Sequence, residues 1–145
     1  MKFRSRKDAL LYVLFLVIGV LAVLIFINFW NAPSLNREML VPAFALLLVL
    51  GLLLWIAMGT SYEITENEMK YRSGPIKGAI AISDIHEVVV GKTMWVGLKP
   101  ATARNGIIVR YEKFSEIYIS PDNNQRFVDK LLKRNKAIVV TRHKE

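Results

Sequence analysis

The sequence predicts a membrane α-hairpin followed by one small α+β domain, an antiparallel β-sandwich or barrel closed by a single C-terminal helix. Three observations carry this expectation. Two uncharged apolar runs, residues 9–30 and 39–60, stand back to back near the N-terminus. Beyond Thr60 the hydrophobic period shortens to alternation, the pattern of half-buried strands. Near the end, Ser120-Pro121-Asp122 precedes an apolar stripe at helical spacing.

Each apolar run is 22 residues long. At about 1.5 Å rise per residue, such a helix crosses a hydrocarbon layer roughly 30 Å thick with slight tilt. A secretory leader has a shorter apolar core, about 7–15 residues, and a small-residue cleavage site. Residues 21–30 offer no such site, so the first run is expected to be retained. Trp30, Trp55 and Tyr12 lie near the ends of the runs, where amphipathic rings prefer the interface. Neither run holds an ionisable residue, so the usual marker of an ion path or transporter site is missing. Asn28 is the one amide, read as structural, and Pro42 is expected in the first turn of the second span, where its missing N–H costs little.

Lys2, Arg4, Arg6 and Lys7 precede the first run, Arg37 alone lies in the connection, and fifteen Lys and Arg follow the second. The positive-inside rule then places both termini in the cytoplasm, with the protein multi-pass in the cytoplasmic (inner) membrane. The expected organisation is a basic N-terminus (1–8), a first span (9–30), a short extracytoplasmic loop (31–38) and a second span (39–60). A cytoplasmic domain (61–136) and a C-terminal tail (137–145) follow. Past Thr60, fifteen basic against ten acidic residues leave a net charge of +5. An anionic inner leaflet attracts such a domain. The chain has no cysteine, which excludes disulfides, thiol nucleophiles and thiolate metal sites.

Within the domain, Tyr62 and Ile64, Met69 and Tyr71, and Ile80 and Ile82 alternate with polar or small residues. Thr65-Glu66-Asn67-Glu68 and Ser73-Gly74-Pro75 supply the turns of a meander, because Asn and Gly tolerate positive φ and Pro cannot continue a ladder. Residues 85–90 make a further strand, buried on both faces at Val88-Val89-Val90 and ended by Gly91. Residues 92–105 read as a long loop. Residues 107–111 and 116–120 form a hairpin. Ser120 is then a hydroxyl cap, Pro121 the first helical residue and Asp122 a carboxylate at the positive end of the helix dipole. Phe127, Val128, Leu131 and Leu132 supply the apolar stripe, and residues 137–141 add a short strand or remain a tail.

Short antiparallel strands closed by one C-terminal helix make the plan of the pleckstrin-homology (PH) superfold. More specifically, KFRSRKD before a span, YEITENEMKYRSGP, IAISDI, and GIIVRY followed by EIYISPDNNQRFVDKL resemble the bacterial PH-domain family named YyaB-like. The resemblance runs from Lys2 to Leu132. It departs at Pro100-Ala-Thr-Ala-Arg-Asn105, where the family often has a Ser-rich, Leu-containing stretch. The resemblance implies a PH-like fold and a binding role with no catalytic set; fold alone does not establish function.

His86 and His143 have no partner at metal-ligand spacing, and no phosphate loop, nucleophile elbow or helical His-Glu pair occurs. No catalytic residue, metal or cofactor is therefore expected. PH-like folds hold anionic head groups with Lys and Arg between early strands, and Lys70, Arg72 and Lys77 are the candidates here. Lys70 and Arg72 share a strand face and Lys77 follows the turn, so the three can converge. An ordinary polar outer face is the competing reading, and the sequence favours it. Trp95 lies in Thr93-Met94-Trp95-Val96-Gly97-Leu98, which either covers one end of the small core, the favoured reading, or is an exposed partner- or membrane-contacting wedge.

These features predict a non-catalytic two-pass membrane protein whose cytoplasmic domain binds a protein or a lipid surface. The expected partners are membrane lipids and a membrane or cytoplasmic protein, not nucleic acid. A bacteriocin-immunity or other membrane-protective protein and an accessory subunit of a larger membrane complex are the alternatives.

Overall fold

The computed structural model describes residues 1–31 and 37–143. Strand β1 (Lys2–Arg4) leads directly into helix α1 (Ala9–Asn31), and α2 (Arg37–Gly59) returns to β2 (Ser61–Ile64). Strands β3 (Glu68–Ser73), β4 (Ile76–Ala81) and β5 (Ile85–Val90) follow, then β6 (Ile107–Tyr111), β7 (Ser115–Ile119), helix α3 (Asn124–Leu132) and β8 (Val139–Arg142). The two long helices contain 20-residue windows, Ala9–Asn28 and Leu40–Gly59, with mean hydropathies of 3.3 and 2.7. By length and composition both are apolar enough to cross a membrane. Pro42 lies inside α2 beyond its first turn, because the helix starts at Arg37, ahead of the expected span. Asn28 donates its side-chain amide to the Leu24 carbonyl at 2.8 Å, which satisfies it within its own helix. Most of the connection expected at 31–38 lies outside the described residues.

The domain is built from two four-stranded sheets, ordered β1-β2-β3-β4 and β7-β6-β5-β8. The first is antiparallel throughout. The second is mixed, because β8 joins β5 in parallel after the chain has crossed through α3. The barrel alternative is thereby corrected: among the described residues no ladder joins the two sheets, which do not close and share one buried core between them. Tyr62, Ile64 and Met69 from the first sheet meet Val88, Ile107, Val109, Ile117 and Ile119 from the second. Helix α3 fills one open end with Phe127, Val128 and Leu131, as its apolar stripe predicts.

Two segments that looked peripheral in sequence are structural. Residues 2–4, expected to be only a basic flank, pair with β2 and send Phe3 into the core, where its ring meets Phe127 edge-on at 5.0 Å. The tail contributes β8, so the strand alternative holds for Val139–Arg142. Ile82 lies in a short 3₁₀ turn (Ile82–Asp84) instead of continuing its strand, yet stays buried.

The helix cap also differs from the sequence expectation. Asn123 is the N-cap, its side chain accepting the Arg126 N–H at 2.9 Å. Ser120 is instead fully buried between the sheets, its hydroxyl hydrogen-bonded with Ser5 Oγ at 2.9 Å and accepting the Thr102 N–H at 3.1 Å. A hydroxyl engaged in a tertiary network is not available to cap. Asn123→Ala is therefore expected to cost about 1 kcal/mol and Asn123→Gly only a few tenths. Denaturant unfolding of the full chain in mild detergent reads the difference. Equal stability of Asn123→Ala and the parent chain would refute the assignment.

Candidate functional site

The end of the domain that meets α1 and α2 is locked by polar groups. Tyr62, buried at the domain core, donates its hydroxyl to the Pro100 carbonyl at 2.6 Å and accepts the Ser120 N–H at 3.1 Å. Burial pushes its phenol pKa up. Ser5 Oγ lies 3.1 Å from that hydroxyl and 2.8 Å from Thr102 Oγ1. The backbone beside it is shared between both sheets: Arg6 N–H donates to the Ser120 carbonyl at 2.8 Å, and Asp122 N–H to the Arg4 carbonyl at 2.9 Å. The short stretch between β1 and α1 is thus held in place.

Helix α2 is fixed in the same way. Thr60 and Ser73, both buried, are hydrogen-bonded through their hydroxyls at 2.9 Å. Gly74, at φ +55°, turns the β3–β4 hairpin against α2 so closely that a Cβ there would lie 2.8 Å from Ile56 Cγ1. Only glycine suits both the backbone angle and the approach. The hairpin tip therefore rests beside the last turn of α2, with Ile76 46% exposed next to it.

The structure brings Lys70, Arg72 and Lys77 onto one face. Arg72 and Lys77 are direct cross-strand partners. Lys70 lies two residues from Arg72 on β3, and all three are exposed. Residues directly opposite in a ladder share a face. The register extends that face across the whole sheet: Arg4, Ser61, Arg72 and Lys77 form one row, and Lys2, Glu63, Lys70 and Ala79 the next. Lys70 is offset by Glu68 at 3.4 Å and faces Glu63, whereas the first row holds no carboxylate. Lys2 and Arg4 were missed as members of this face because their strand was not recognised. The Lys2-Phe3-Arg4 alternation was the signal, and three residues are too few to establish a period.

Trp95 is not part of that face. Its loop divides: Met94 is buried against Val89, Ile108 and Tyr118 on the outer side of the second sheet, while Trp95 and Val96 are 80% and 83% exposed. Covering the core thus holds for Met94 and is corrected for Trp95, because only one of the adjacent side chains can point inward. Lys99 Nζ sits 5.7 Å from the Trp95 ring centroid. Trp95, Thr93 and Ala101 line an apolar groove of about 240 Å³ with Leu10, Leu11 and Leu14 of α1. Beside it a polar hollow of about 390 Å³ is lined by Arg6, Lys7, Asp8, Arg104 and Asn105. Asp8 takes a hydrogen bond from Arg104 Nε at 2.7 Å and from the Ala9 N–H at 2.8 Å, and these hold its carboxyl below the usual range. Among the described residues, no group of three metal-capable side chains occurs.

Two comparisons bear on this arrangement. A family model described as "Bacterial PH domain" matches residues 60–135. The chain is also 29% identical over 96 residues to the "Uncharacterized protein YyaB" of Bacillus subtilis (strain 168), a match covering 66% of this chain and 66% of that protein. No solved structure matches the chain.

Proposed function

Since the chain belongs to the bacterial PH-domain family, we propose that it is a non-catalytic two-pass membrane protein whose PH-like domain is a binding module seated on the cytoplasmic surface of the bilayer. The single observation carrying this reading is that the domain is interlocked with both apolar helices. Strand β1 precedes α1 and pairs with β2, which follows α2. A chain that leaves the domain through α1 therefore re-enters it through α2, and both crossings end at one face of the bilayer.

The close approach of Gly74 to Ile56, in the last turn of α2, supports seating the β3–β4 hairpin at the level where the second span would end. Arg72 and Lys77, beside that turn, then lie at headgroup depth, where each basic residue near an anionic surface contributes about 1 kcal/mol. The basic flank Lys2, Arg4, Arg6 and Lys7 supports the cytoplasmic side for the domain. A family of binding modules and a basic face fixed at the lipid surface together favour recognition over catalysis.

The absence of native cysteine makes single-cysteine labelling clean. With a membrane-impermeant maleimide, Asn31→Cys is expected to label in intact cells and Phe114→Cys only after lysis. In inside-out vesicles, Ile76→Cys is expected to react more slowly than Phe114→Cys, because lipid shields the hairpin tip. Labelling of both Asn31→Cys and Phe114→Cys in intact cells would refute the two-pass topology. Equal rates at positions 76 and 114 would refute the seating on lipid.

A further inference from the structure

We propose that the cleft between the start of α1 and the 93–104 loop is a binding site for one anionic phospholipid. It would hold the phosphate among Arg6, Lys7 and Lys99 and one acyl chain along Leu10, Leu11 and Leu14. The inference rests on the membrane-spanning reading of α1 and adds a specific ligand site distinct from the basic sheet face.

The polar hollow and the apolar groove abut, since Asp8 and Arg104 line both. Their order along α1 matches that of a lipid. Lys7 and Asp8 precede the helix, where headgroups lie, and Leu10, Leu11 and Leu14 descend its first two turns into the hydrocarbon. Arg6, Lys7 and Arg104 line the hollow and Lys99 the groove, and the Arg6 guanidinium is anchored by donation to the Arg104 and Asn105 carbonyls. Asp8 is the one carboxylate among the described residues of either lining. That carboxylate is already engaged by Arg104 and by the start of the helix. The site therefore has a positive excess that suits a phospholipid of net negative charge better than a zwitterionic one.

Trp95 closes the far wall. A large ring left 80% exposed is costly in water, yet it is suited to the interface, where its body meets acyl chains and its edge meets headgroups. Lys99 above the ring adds a charge at the depth where the phosphate would lie. The wall is positioned and not loose: Met94 anchors the loop in the second sheet's outer cluster, and the Tyr118 N–H donates to the Leu98 carbonyl at 3.0 Å.

The test uses the full chain in nanodiscs, with Trp95 as the only tryptophan (Trp30→Phe, Trp55→Phe). A minor fraction of brominated phosphatidylglycerol is compared with the same fraction of brominated phosphatidylcholine. Bromine quenches tryptophan only on close approach. Brominated phosphatidylglycerol is expected to quench Trp95 more strongly. Lys7→Gln and Lys99→Gln are each expected to reduce the preference about fivefold, while Lys113→Gln, at the opposite end of the domain, leaves it unchanged. Equal quenching by the two lipids, or equal loss in Lys113→Gln, would overturn the site. A companion chain retaining only Trp55 separates the two possible failures. If Trp55 is quenched and Trp95 shows no preference, the lipid site is wrong and the membrane reading stands. If Trp55 is not quenched, the membrane reading fails and the site with it.

Discussion

Phe3→Ala is expected to destabilise the domain by about 3–5 kcal/mol, the cost of deleting a large aromatic from a packed core. Small domains are stable by only about 5–15 kcal/mol, so this variant should lose much of its folding margin. The side chain is 3% exposed and packs edge-on against Phe127, which also meets Tyr62 with 6.3 Å between ring centroids. Removing it opens a cavity where β1, β2 and α3 converge. Its neighbours Lys2 and Arg4 point outward, and their alanine variants should stay within about 0.5 kcal/mol of the parent. The measurement is pulse proteolysis across a urea series on full-length protein in mild detergent, read on domain fragments. A Phe3→Ala midpoint equal to that of Lys2→Ala would show that β1 is not part of the core.

Gly106→Ala is expected to reach or exceed the upper end of the about 1–3 kcal/mol range typical of overpacking. A Cβ at this position would overlap the carbonyl oxygen of Ile119 and lie 3.0 Å from the Tyr118 hydroxyl. The obstruction is backbone, held in the β6–β7 ladder, and cannot rotate away as a side-chain tip would. The Gly106 N–H also donates to the Tyr118 hydroxyl at 2.9 Å, and that hydroxyl donates in turn to the Ala103 carbonyl at 2.8 Å. Displacement of the strand would therefore loosen the 93–104 loop as well. Gly19→Ala is the matched control, because a Cβ there meets nothing within 4 Å. The same urea series should show a large shift for position 106 and almost none for position 19. Similar midpoints would contradict the close approach.

The strands of the meander and the hairpin were legible because each spans enough residues to display its own period. Tyr62 and Ile64 face inward with Ser61 and Glu63 between them, so the reading needs no knowledge of the partner strand. Strand β1 has only three residues, and its role depends on β2, some sixty positions later. The surrounding Lys and Arg fit the basic flank of an apolar run equally well, so composition there does not single out a strand. Local sequence pointed to Ser120 as the cap because a proline and a carboxylate follow it, whereas Asn123 caps the helix in the structure. The competing hydrogen bonds come from Ser5 and Thr102, which arrive only through the fold. The Trp95 loop was ambiguous for a similar reason. Its apolar content signalled that something is covered, but which residue turns inward depends on the outer face of the second sheet.

The basic cluster was partly readable. Lys70 and Arg72 fall two apart, and Lys77 follows a tight turn, so their shared face follows from strand geometry. The extension to Lys2 and Arg4 required the register of a ladder joining the chain's beginning to its middle. The cleft beside α1 left no mark in the sequence, because its polar and apolar walls come from segments about ninety residues apart.

By itself the sequence determined two helices long and apolar enough to cross a membrane, a meander of half-buried strands, a terminal amphipathic helix and a family resemblance. All of these rest on short-range periodicity or on contiguous motifs. Only the tertiary structure decided that the sheets form an open sandwich, that residues 2–4 and 139–142 supply strands, and that Ser5, ahead of α1, and Thr60, after α2, are hydrogen-bonded into the domain. Those outcomes depend on which distant groups satisfy one another's hydrogen bonds and fill one another's cavities, and no local pattern encodes that choice.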